Sequence, residues 1–305
     1  MRYTRILFVL AFIAGVCLIT NPPSSAQKPQ RVLLHVRVTD AANTPVRDVP
    51  QQAFQVTEDG VPQKIEFFMN EEVPLTYGLL IDCSGSMRTQ LRQVVDAGKK
   101  IVNTNKPEDE TFLVRFVSSD IIETVQELTS DKQLLINGLD SLFVEGGQTA
   151  VYDAVYLGAE YLIKKRDPNK VRRRAIILVS DGEDRNSYYK KDHVLRHLVA
   201  SDIQVFTIAL TNDVPGNKVD KVFSFLAQLA SDTGGRTFFA NRPEDIARIS
   251  SEIIRDIRSQ YVIGYIPSSG NPAKGFNKVL VSLSENPSDT QNREKRAAIT
   301  RVTVF

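Results

Sequence analysis

Disulfide stabilisation is excluded first. The 305-residue chain has two cysteines, Cys17 and Cys83. Cys17 falls in an N-terminal segment that reads as a cleaved leader, so Cys83 stands alone in the mature chain. Stability must come from the core, even though the leader points to an oxidising destination. An excess of charge is also missing. Arg2 and Arg5 are the only charges before residue 27, and without them 36 basic residues face 36 acidic ones. No global field favours nucleic acid or an acidic membrane. Beyond residue 26 no stretch is apolar enough to cross a bilayer. Internal repeats are absent, and low complexity is confined to short loops. A Gly-x-Ser-x-Gly elbow is lacking as well. Around Ser84 its glycine positions hold Asp82 and Ser86, and around Ser86 they hold Ser84 and Arg88.

What is present is ordinary in bulk, with 42% apolar and 24% charged residues. The length accommodates one large domain and a smaller one. Residues 1–26 have a positive start, an apolar core over Ile6–Thr20, a break at Asn21-Pro22-Pro23 and a small-residue cleavage pattern, Ser24-Ser25-Ala26. They read as a secretory signal; a retained anchor is the alternative. Val16 stands where lipidation of Cys17 would want a small residue.

Residues 31–71 read as β, with strands at 32–38, 53–56 and 63–68 and a hairpin signal at Glu58-Asp59-Gly60. His35 reads as a packed or edge residue. From Leu75 strands and helices alternate, the pattern of a mostly parallel sheet with helices on both faces. Strands are expected at 75–82, 111–116, 174–180, 203–210 and 236–240, with 121–125 pairing antiparallel. Helices are expected near 89–103, 131–142, 149–164, 192–201, 219–231 and 243–259. Further strands follow at 260–265, 278–283 and 297–305, separated by polar loops. The expected architecture is a Rossmann-like α/β domain beside a small β domain built from N- and C-terminal strands. The divisions are 1–26, 27–73, 74–259 and 260–305.

Residues 78–87 carry the chemistry. Gly78-Leu79-Leu80-Ile81 is apolar without alternation, as in a strand buried on both faces. It stops on Asp82 and passes through Ser84-Gly85-Ser86 towards a helix. Loops at the carboxyl ends of parallel strands are where open α/β sheets place ligands. Alternate residues of an extended loop share a side, so Asp82, Ser84 and Ser86 converge. Such hard oxygen ligands suit Mg²⁺, Mn²⁺ or Ca²⁺. Cys83, between them, should point into packing. Two further stretches stand out: Glu145-Gly146-Gly147-Gln148-Thr149, and the buried strand 176–180 ending on Asp181. Asp153 reads either as a second-layer acceptor or as an ordinary first-turn acid. His193 and His197 have metal-binding spacing but no evident third ligand, and read as surface residues. The basic stretch 164–174 reads as a solvated helix end.

With these residues the chain resembles the von Willebrand factor type A family. Its metal-ion-dependent adhesion site uses Asp-x-Ser-x-Ser, a later Thr and a later Asp. The resemblance implies Asp82, Ser84, Ser86, Thr149 and Asp181 as the metal set. It implies that the cation, Mg²⁺ or alternatively Mn²⁺ or Ca²⁺, takes an acidic side chain from a protein partner. It also implies that the last helix can be coupled to the site. Across 28–265 the chain further resembles exported type A-domain proteins common in Acidobacteria. The expectation is therefore an exported interaction module, in the periplasm, envelope or medium, and not an enzyme. The alternatives are a metal-free envelope scaffold or a hydrolase with Ser84 or Ser86 as nucleophile. The missing elbow, and Ser84 where an aspartyl phosphatase would carry a second acid, count against catalysis.

Overall fold

The computed structural model describes residues 32–40, 44–182, 184–211, 219–268, 277–284, 297–299 and 301–304. The leader expected at 1–26 and most of the two late polar loops expected from sequence lie outside the described residues.

The chain opens with β1 (Val32–Thr39), β2 (Phe54–Glu58), β3 (Val61–Gln63) and β4 (Ile65–Met69). The hairpin expected at residues 58–60 joins β2 to β3. Asp59 and Gly60 both take positive φ, 50° and 83°, the left-handed geometry a tight hairpin turn requires. The single strand expected at 63–68 is two. β3 pairs with β2, while β4 leaves for another sheet. Pro62 and Lys64 are exposed there, so nothing in the alternation signalled the change of sheet.

The middle of the chain runs β5 (Leu75–Asp82), α1 (Leu91–Asn103), β6 (Glu110–Ser118), β7 (Ile121–Thr129), α2 (Lys132–Asp140), α3 (Val151–Lys164) and β8 (Arg173–Ser180). It continues through α4 (Lys191–Ala200), β9 (Gln204–Leu210), α5 (Val219–Asp232), β10 (Thr237–Ala240) and α6 (Pro243–Arg258). The six strands lie in the order β10-β9-β8-β5-β6-β7. All neighbours are parallel except β6 and β7. β5 is central and wholly buried, as its unalternating apolar run requires. Tyr77, Leu79 and Ile81 join α1, α2 and α6 on one face, and Leu80 joins α3, α4 and α5 on the other. Period-two pointing along the strand divides one sequence between two cores. On α6, Ile246, Ile249, Ile253, Ile254 and Ile257 are all buried, as their spacing demands. Asp131 caps α2, accepting from Gln133 N at 2.8 Å.

β11 (Tyr261–Tyr265) follows α6 at once, and β12 (Asn277–Leu283), β13 (Ala297–Ile299) and β14 (Arg301–Val304) complete the chain. The terminal strands interleave. One sheet runs β13-β1-β11-β4 and the other β14-β12-β2-β3. Leu34, Val36, Phe54, Val56, Ile263 and Val281 share one core between them. The single late strand expected at 297–305 is divided between the two sheets. Tyr261 anchors the junction. Its hydroxyl donates to Val46 O at 2.9 Å and accepts from Val49 N at 3.1 Å.

Candidate metal centre

Three loops at the carboxyl ends of β5 and β8 are laced together by main-chain hydrogen bonds. Cys83 N donates to Phe116 O at 2.8 Å, which ties the β5 loop to β6. Glu145 N donates to Cys83 O at 3.0 Å, and Arg185 N to Thr149 O at 2.9 Å. Residues far apart in sequence are thereby held at one point.

The five expected positions meet there. Ser84 Oγ lies 3.2 Å from Ser86 Oγ and accepts from Thr149 Oγ1 at 3.3 Å. Ser86 Oγ donates to Asp181 Oδ1 at 2.9 Å. Asp82 is fully buried beneath them and accepts from Ser84 N at 2.9 Å. The cluster opens outward at Ser86, which is exposed. Two local expectations need correction. Ser84 is extended, but Gly85–Thr89 forms a 3-10 turn, so Ser86 reaches the site by a turn and not by strand alternation. Thr149 lies in the loop before α3, which begins at Val151, and not in its first turn.

Cys83 is buried and free, in the core on the α1 side. Burial pushes its thiol up to about 12, with Arg115 pulling the other way. That describes an inert packing residue.

Two supporting groups, Ser180 and Arg115, were not identified from sequence, and a third, Asp153, was open between two roles. Ser180 Oγ donates to Asp82 Oδ2 at 2.7 Å. The signal for it was a buried serine ending β8 immediately before Asp181. Arg115 is 2% exposed and pairs with Glu123 and with Glu145 in the second loop. It also donates to Phe143 O at 3.3 Å. Asp153 resolves into a loop anchor: its carboxylate accepts from Tyr188 N and Tyr189 N, each at 2.9 Å. This holds the segment after Asp181 against α3.

The histidines lie elsewhere. His193 stacks on Tyr189, and His197 stacks on Tyr156 with Nε2 2.6 Å from Glu160. His35 meets Asp202 at 2.6 Å. Among the described residues no group of three His, Cys, Asp or Glu side chains is placed to hold an ion. The cluster here is two carboxylates and three hydroxyls.

That donor set fits a hard divalent cation. Burial raises the Asp82 carboxyl to about 6; hydrogen bonds from Ser84 and Ser180 lower it, and Asp181 raises it. The positive charge that would settle two neighbouring carboxylates is what a metal ion supplies.

Fold and donor set define an α/β domain with a hydroxyl-and-carboxylate cluster at the carboxyl ends of its central strands. The von Willebrand factor type A domain family matches residues 78–252, more than half of the chain, and the chain belongs to that family. Proximal thread matrix protein 1 from the mussel byssus, solved with a zinc-occupied MIDAS motif, is 16% identical with a TM-score of 0.52. The match covers 66% of this chain and 49% of that one, so this chain spans about half of that protein. An aerotolerance-related membrane protein from Bacteroides fragilis is 20% identical over 60% of this chain and 98% of its own, with a TM-score of 0.48. A von Willebrand factor type A structure from Catenulispora acidiphila is 14% identical over 83% and 72%, with a TM-score of 0.49. At such identities the likeness is one of fold. No curated protein matches the chain. The narrower likeness to acidobacterial proteins finds no support in these matches.

Proposed function

We propose that the chain is an exported, metal-dependent protein-binding module. Asp82, Ser84, Ser86, Thr149 and Asp181 would hold the cation, directly or through water. Mg²⁺ suits this oxygen set best, with Mn²⁺ and Ca²⁺ as alternatives. Zinc occupies the equivalent motif in the mussel protein, which makes the metal's identity part of the test. The carrying observation is the convergence of hydroxyls and carboxylates from three loops at 2.9–3.3 Å.

The reading is coordination rather than turnover. With neutral hydroxyls supplying three of five positions, a bound cation keeps much of its charge for a further ligand. A carboxylate from a partner protein would complete the site. Exposure on the Ser86 side gives it a path. A metal-carboxylate contact within an interface would dominate binding as a hot spot. The three histidines are engaged away from the cluster, which removes the usual base for a serine nucleophile. Export rests on the leader-like residues 1–26. Among the described residues no helix is long and apolar enough to cross a membrane.

Calorimetric titration of Mg²⁺ and Mn²⁺ into residues 27–305, beside Asp82→Ala, tests the site. Saturable binding lost in the variant is expected. Capture of acidic protein ligands that chelator abolishes would then establish the interaction. Equal, absent heats in both proteins would overturn metal binding by the free chain and leave a metal-free scaffold.

A further inference from the structure

The opposite end of the middle domain carries a second candidate site. A cavity of about 290 Å³ opens at the amino ends of β5, β6 and β8. That volume lies at the small end of the range for ligand pockets. Its walls include five cations, Lys165, Arg166, Lys170, Arg172 and Arg174, against three carboxylates, Glu110, Asp167 and Asp202. The basic stretch that reads in sequence as a solvated helix end is thus folded around a concavity.

Each carboxylate already has a partner of its own. Glu110 pairs with Arg172 at 3.1 Å. Asp202 lies 2.6 Å from His35. Asp167 closes its own loop, accepting from Asn169 N at 2.9 Å, and lies 3.8 Å from Lys170. Arg172 is spent on structure, donating to Thr76 Oγ1 at 2.6 Å and Leu75 O at 2.9 Å. Lys165 lies 3.4 Å from Glu127, beside the carbonyl end of α3, whose dipole it answers.

Arg174 is different. Its side chain is only 9% exposed, yet its nearest carboxylate oxygen, on Asp202, lies 4.0 Å away. That is beyond hydrogen-bonding distance. Among the described residues its guanidinium makes no hydrogen bond. Burial lowers its pKa, with Asp202 opposing. A guanidinium drawn in against a cavity wall, with its donors turned to that cavity's water, can exchange that water for a ligand's acceptor oxygens. Arg166 lines the same cavity from an exposed position with no carboxylate within salt-bridge range among the described residues.

We propose that this cavity binds a tetrahedral oxyanion, a phosphate or sulfate group, with Arg174, little exposed, as the anchor and Arg166 and Lys170 at the mouth. The planar fork of Arg174 can donate two parallel hydrogen bonds to such a group. Lys170 can turn to it from its loose contact with Asp167. The ligand is either a free ion or the same group esterified on a larger molecule. The site is independent of the metal centre.

The test is calorimetric titration of residues 27–305 with inorganic phosphate, inorganic sulfate and phenyl phosphate, with chloride at matched ionic strength. Saturable binding of an oxyanion is expected, unchanged in Asp82→Ala. Arg174→Gln should weaken it roughly tenfold or more, the worth of a charge-assisted hydrogen bond. Circular dichroism and the urea midpoint check that the variant is folded. Should it fold poorly, Arg174→Lys keeps the charge, loses the fork and is expected to weaken binding. Phenyl phosphate binding as tightly as phosphate would support an esterified ligand; preference for the inorganic ions would support a free one. Absence of saturable binding, equal heats with chloride, or binding that both Arg174 variants leave intact would overturn the site.

Discussion

Arg37 on β1 and Asp256 on α6 are joined at 3.1 Å, linking the terminal sandwich to the last helix of the α/β domain. Asp256 is 1% exposed and also meets Arg236 at 3.1 Å. α6 therefore runs into β11 at its end and is clamped to β1 along its side. Asp256→Ala would leave two arginines facing a buried gap. It is expected to destabilise the chain by about 3 kcal/mol, the lower end for a broken buried pair, because Arg236 is partly exposed. Urea unfolding measures this, and a loss below about 0.5 kcal/mol would show that the clamp is ornamental.

The buried Asp82 makes the metal-free protein sensitive to pH. Its folded pKa, about 6, lies above the ordinary carboxylate value of 3.8. Between these values the native state holds a proton that the unfolded chain has released. Stability from this group therefore falls as pH rises from about 4 to 6, by up to roughly 3 kcal/mol. In chelator, Asp82→Asn should flatten that part of the urea-stability profile. An unchanged slope would mean that Asp82 ionises freely in the fold.

Ser180 should matter to metal binding although it is outside the adhesion-site motif. Its hydroxyl donates to Asp82 Oδ2 at 2.7 Å and orients the carboxylate from below. Ser180→Ala is expected to weaken cation binding by about tenfold or more, as for other groups that orient a ligand. Calorimetry beside the parent protein reads the change directly. Equal affinities would show that Ser84 N alone holds Asp82.

Gly235 admits no side chain. A Cβ there would lie 2.0 Å from Val205 O and 2.7 Å from its carbonyl carbon. Both are backbone atoms of β9, which cannot move without disturbing the central sheet. Gly235→Ala is expected to cost about 2 kcal/mol or more, in the range of core overpacking. Thermal unfolding would show this as a lowered midpoint. An unaltered midpoint would mean that the turn before β10 can relax.

Legibility from sequence followed how local each cause was. The run through Leu79, Leu80 and Ile81 declared a doubly buried strand because both faces of β5 meet helices. The isoleucines of α6 declared one buried face through their spacing alone. The metal-set residues were legible as a resemblance because motif order survives in the linear chain. Ser180 and Arg115 were not, and Asp153 stayed open between two roles, because these roles depend on which distant backbone amide or carboxylate comes within about 3 Å.

By itself the sequence determined where most strands and helices form, that two cysteines are too few for a disulfide framework, and which oxygen donors are available. These follow from apolar period, residue counts and side-chain chemistry. Only the tertiary structure decided that the 63–68 segment splits between two sheets. It also placed Ser86 by a turn, set β11 between β1 and β4, and folded the basic stretch around a cavity with Arg174 inside. Those outcomes depend on strand pairing and side-chain packing across a hundred residues and more, which no local pattern along the chain encodes.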